Sequence, residues 1–89
     1  MNRKEAAEKR KQRLRTRNKT LAARFYYWSE VKRVRFDDVV KILESSEFFV
    51  EYQTIRIAID SQQSFLDELY SDSKAVATLK KHFPAWNWN

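Results

Sequence analysis

From Thr20 onward the apolar residues recur at helical spacing, and no stretch alternates in the way a half-buried strand would. Leu21, Ala22, Phe25, Trp28 and Val31 fall on one face of a first core helix, with Thr20 or Asn18 as its N-cap, while Arg24, Tyr27, Lys32 and Arg35 occupy the other face. A second helix begins at Phe36 or Asp37. Val39, Val40, Ile42 and Leu43 are its apolar positions, Asp37 and Asp38 suit the positive end of its dipole, and it stops near Ser45 and Ser46. A turn through Glu47, Phe48, Phe49 and Val50 follows, in which the two Phe rings fill the space between helices. A third helix, Glu51 to Asp60, points Ile55, Ala58 and Ile59 inward and Gln53, Arg56, Ile57 and Asp60 outward. A fourth, Gln62 to Tyr70, gathers Phe65, Leu66 and Leu69 on one side. The fifth opens at Asp72 or Ser73, turns Ala75, Val76 and Leu79 inward, and ends before Pro84. The pattern is that of an all-α domain.

Residues 1–19 differ in kind, with only Ala6, Ala7 and Leu14 as apolar positions besides Met1. They cannot build a core. Ala, Glu, Lys, Arg and Gln nevertheless favour helix from Arg3 to Arg15, and Glu5 and Lys9 form an i,i+4 pair of the favoured orientation. An isolated helix of this length is marginal in water, so the segment is expected to be a frayed helix that orders on a partner or against the body, or else a solvated tail. Three parts result: a basic extension, 1–19; a helical domain, 20–83; and an aromatic tail, 84–89. Trp86 and Trp88, two residues apart after Pro84, cannot share a helical face. They either fold back as a lid or join two copies in a homodimer.

Composition narrows the chemistry. The 89 residues include no Gly, which excludes phosphate-cradling P-loops and dinucleotide-binding turns that need positive φ close to the ligand. With no Cys and a single His82, thiol nucleophiles, zinc fingers and His-based triads go too. No enzyme activity, metal or cofactor is expected. No apolar run is long enough to span a bilayer and the start of the chain is charged, so no membrane association and a cytoplasmic, nucleoid-associated location are expected.

The net charge of +6 is unevenly placed: residues 1–35 carry 13 Lys or Arg and 3 Glu, whereas residues 36–89 carry 5 Lys or Arg and 9 Asp or Glu. A basic first third on a mildly acidic remainder suits a protein whose N-terminal region meets a polyanion. The second and third helices, separated by a compact turn, fit the helix-turn-helix plan, in which Ile55 locks the recognition helix to its predecessor. Tyr52, Gln53, Arg56 and Ile57 are then the candidate base-contacting residues. Gln53 can bond adenine, Arg56 guanine, and Ile57 a thymine methyl. Arg10, Lys11, Arg13, Arg15, Arg17, Lys19, Arg24, Lys32, Arg33 and Arg35 are the candidate phosphate contacts. Two features depart from the plan: the turn has no Gly, and Glu51 is a poor N-cap and a poor neighbour for phosphate.

The stretch RFYYWSEVKRVRFDDVVKILESSEFFVEYQTIRIAI (24–59), through its KRxRFDD and EFF segments, and the ending HFPAWNW (82–88) resemble the small helix-turn-helix proteins of bacterial mobile genetic elements and phages, often loosely labelled transposase. The resemblance covers most of the chain and implies a DNA-binding role. It does not extend to transposition chemistry, since 89 residues offer no nuclease-sized fold bearing three catalytic carboxylates. The expected function is a non-enzymatic, sequence-specific binder of double-stranded DNA that serves a mobile element as regulator or accessory factor. Two alternatives stand beside it. One is an RNA or ribonucleoprotein binder in which Tyr27 stacks on a base, and the other is a protein-interaction adaptor using the acidic C-terminal half or the Trp-rich tail.

Overall fold

The computed structural model describes residues 2–89, and the described residues form helices and connectors without a strand. The helices are α1 (Arg3–Tyr26), α2 (Phe36–Ile42), α3 (Tyr52–Ser61), α4 (Gln63–Ser71) and α5 (Ala75–His82). Single π-helical turns, Tyr27–Val31 and Leu43–Glu47, prolong α1 and α2.

No helix start falls at residues 18–20: α1 runs unbroken for 24 residues from an Asn2 cap, whose side chain accepts from the Glu5 amide at 2.8 Å. Neither Asn18 nor Thr20 caps a helix. Thr20 instead donates its hydroxyl to the Thr16 carbonyl one turn back, at 2.8 Å. Helix nucleation is the costly step, and the buried C-terminal half of α1 supplies the nucleus from which the Ala-, Lys- and Arg-rich half propagates, with no Gly or Pro to interrupt it.

That C-terminal half is the axis of the molecule, buried on every side from Thr20 to Arg24. One flank packs Ala22, Ala23, Tyr26 and Tyr27 against Leu66 and Leu69 of α4, Ala75 and Leu79 of α5, and Trp88. On the other, Leu21 meets Val39 and Val40 of α2, Leu43, and Ile55 and Ala58 of α3. Phe25, Trp28 and Ile59 touch both clusters and join them into one core. Val31, expected inside, lies at the rim, because the π turn adds a residue and rotates the following positions off the α-helical register.

On α3, Ile55 and Ala58 are buried while Gln53, Arg56 and Ile57 face out, as the spacing requires. Ile55→Asp should therefore abolish the thermal transition by burying an unpaired charge, whereas Ile57→Asp should melt within a few degrees of the parent; unfolding of both would show the helix face to be misassigned.

A chain without Gly makes its sharp turns at a cost. Arg33 (φ 57°) and Phe49 (φ 56°) both occupy the left-handed region, which is strained for a side chain carrying a Cβ. At Phe49 the reversal throws the ring outward, 74% exposed, so only Phe48 fills the inter-helix space, stacked on Trp86 at 5.3 Å. Before α5, Asp72 accepts from the Lys74 amide and the Thr78 hydroxyl at 2.8 and 2.7 Å, and these bonds hold its carboxyl below the usual range. The helix ends at His82, ahead of Pro84.

The tail is a lid on its own chain. Trp88 is 2% exposed, packs edge-on against Tyr27 at 5.5 Å and donates its indole N–H to the Phe83 carbonyl at 2.8 Å. Of the two readings of the tail, the lid is the one seen in the fold, with Trp88 in the core and Trp86 stacked on Phe48.

Candidate nucleic-acid interface

Every residue of α1 from Arg3 to Thr16 is exposed, and none belongs to the core. At 1.5 Å per residue this half extends about 21 Å beyond the packed body, consistent with overall dimensions of 45 × 26 × 22 Å. Among the described residues, no Lys or Arg from Arg3 to Lys19 makes an ion pair. Arg17 donates to the Asn18 side chain at 3.0 and 3.3 Å, and the Lys19 ammonium sits 4.9 Å from the centre of the Phe65 ring. Arg10, Lys11, Arg13, Arg15, Arg17 and Lys19 are thus free to meet an anion, and the positive end of the α1 dipole adds to their field.

Arg24 is not a phosphate contact. It is 4% exposed and forms a forked pair with Glu47, Nε to Oε1 at 2.9 Å and Nη2 to Oε2 at 2.6 Å. Its Nη1 donates to the Asn87 carbonyl, and its guanidinium lies 4.7 to 5.4 Å from the ring centres of Tyr27, Trp28, Trp86 and Trp88. Trp28 adds an indole N–H bond to the same Glu47 carboxylate at 3.1 Å. The two π turns bring Tyr27, Trp28 and Glu47 to this point. Enclosed there at 2% exposure, Tyr27 cannot stack on a base, which removes it from the RNA-binding alternative.

The remaining basic candidates sit apart from the projecting half, on the connector beyond the other end of α1. Lys32 lies 5.7 Å from the Tyr27 ring centre and donates to the Asn89 carbonyl at 2.5 Å. Arg33 is exposed and 4.0 Å from Glu30; Arg35 is exposed at the N-cap of α2. The buried segment Thr20–Arg24 separates these three from the Arg10–Lys19 group.

Tyr52, Gln53, Arg56 and Ile57 come together on the outward face of α3, all exposed. Beside them a shallow groove between α2 and α3 is lined by Phe36, Asp37, Val40, Lys41, Glu44 and Tyr52. Glu51 caps α3 by backbone geometry alone, without a side-chain hydrogen bond. Sequence reasoning missed two residues here. Phe36 is half exposed at the mouth of the groove, and Glu47 is the partner of Arg24 across 23 positions, a separation that leaves no local signal.

Among the described residues no helix is long and apolar enough to cross a membrane, and no three His, Asp or Glu are grouped to hold a metal ion. No known family model, curated protein or solved structure matches the chain.

Proposed function

We propose that the chain is a non-enzymatic, sequence-specific binder of double-stranded DNA, acting as a regulator or accessory factor of a mobile element. One observation carries this reading: a helical arm, exposed throughout, bears 7 Lys or Arg against 2 Glu between Arg3 and Thr16, and none of these cations is neutralised within the fold. Binding to phosphate supplies affinity without sequence information, so a second element must read bases. In the helix-turn-helix reading of α2 and α3 that element is the outward face of α3. Gln53 and Arg56 there offer the donors that adenine and guanine edges accept, and Ile57 offers an apolar contact for a thymine methyl.

Selection from random duplex DNA, run beside random RNA, tests the reading, and enrichment of RNA alone would contradict it. At the selected site Arg56→Ala should cost on the order of 1 to 3 kcal/mol and relax preference at one base position, while Arg35→Ala should weaken all sequences alike. Equal losses on selected and scrambled DNA would remove Arg56 from base reading. A second reading, a protein-interaction adaptor, is favoured by the groove of Phe36, Val40 and Tyr52 with Asp37 and Glu44 at its edge. Failure of both nucleic-acid selections would support it.

A further inference from the structure

Because α1 is continuous, the positions of its charges around the axis are fixed, each residue turning about 100° from the last. Arg3, Lys9, Arg10, Arg13 and Arg17 line one flank of the projecting half, and Lys4, Lys11, Arg15 and Lys19 line another. Between the flanks on one side lie Ala7, Leu14 and Asn18; on the opposite side lie Glu5, Gln12 and Thr16, while Glu8 falls within the second flank, between Arg15 and Lys19. A helix resting on a single phosphate ridge would use one basic flank and leave the other idle. Two flanks fit two ridges, and the walls of the major groove are such a pair. That groove is about 12 Å wide, and a helix with its side chains is about 10 to 12 Å across.

We infer that the projecting half of α1 enters the major groove of duplex DNA, its two basic flanks on the two phosphate backbones and Leu14 against the base edges. The inference rests on the DNA-binding reading and adds to it a second element that reads bases. Leu14, 42% exposed and in neither core cluster, is the one large apolar side chain on this half. The groove-floor placement gives it an apolar neighbour in the thymine methyl. Glu5 then faces solvent, away from phosphate, and Glu8 lies among the four cations of the second flank, which outnumber it. The deep, narrow major groove of A-form RNA does not admit such a helix, so the occupant is DNA.

Two variants of the full chain test this, Leu14→Glu and Gln12→Glu, which change charge equally on opposite sides of an exposed helix. The probe is a mixed-sequence duplex DNA of about 24 base pairs, some two helical turns, with an RNA duplex of the same sequence beside it. Leu14→Glu should weaken DNA binding at least tenfold more than Gln12→Glu. The parent and Gln12→Glu should shield guanine N7 from methylation over about six base pairs, at 3.4 Å per base pair along the 21 Å arm, and Leu14→Glu should lose that protection. Equal losses in the two variants, or N7 left reactive while the parent still binds, would overturn the groove placement and leave the DNA-binding reading standing. Tighter binding of the RNA duplex, or no salt-sensitive binding of DNA by the parent, would overturn both.

Discussion

Arg24→Ala should lower stability by roughly 3 to 5 kcal/mol, the cost of leaving one member of a buried ion pair without its partner. Glu47 would stay behind with its side chain only 11% exposed, and the four aromatic rings around Arg24 would no longer enclose a cation. The tail would lose the donor that holds the Asn87 carbonyl, so the lid should loosen together with the contact between α1 and the end of α2. For a chain of this size the loss is comparable to the whole folding free energy, about 5 to 13 kcal/mol at typical values per residue. Urea titrations followed by Trp fluorescence should therefore show a protein largely unfolded or close to its midpoint in buffer. Arg24→Met combined with Glu47→Leu should recover most of the loss, since apolar replacement of a buried pair is often neutral or stabilising. A loss below about 1 kcal/mol for Arg24→Ala, the range of exposed pairs, would mean that the cluster does not hold the fold together.

The same residue shows where sequence reading stops. Three residues after Leu21 and four before Trp28, Arg24 borders the apolar face of α1 rather than opposing it, and a cation at such an edge is ordinarily solvated. What buries it arrives from far along the chain, Glu47 from 23 positions away and the Asn87 carbonyl from 63. Periodicity carries no information at such separations. Tyr27 was hidden in the same way. The helices beyond Phe36 were legible because Ile55, Leu66, Leu69 and Leu79 keep strict spacing and Pro84 punctuates the end. Their faces are those the spacing requires. Phe49 and Val31 depart from it because a left-handed residue and a π turn each reset the register locally, and neither has a Gly or Pro to announce it.

Of the candidate interface, the outward set Tyr52, Gln53, Arg56 and Ile57 could be read directly, since exposure on α3 follows from the burial of Ile55 and Ala58. The basic arm was legible as charge but not as geometry. Its two flanks exist only if α1 is one helix from Arg3 to Tyr26, and the change of composition at residue 19 had suggested a break. Composition marks where a core begins. It does not mark where a helix must stop.

The most direct test of the proposed function is the salt dependence of duplex-DNA affinity, compared between the full chain and a chain lacking residues 2–16. The deletion removes 7 Lys or Arg and 2 Glu and no residue of either core cluster, so the body should retain its melting transition. Each phosphate neutralised contributes about 0.9 to the slope of log affinity against log salt, so the seven cations can account for up to about 6. The slope should fall by at least about 3 on deletion, with affinity at low salt reduced by orders of magnitude. A slope and affinity unchanged by the deletion, in a body that still melts cooperatively, would contradict the arm as the phosphate-binding element and the function built on it.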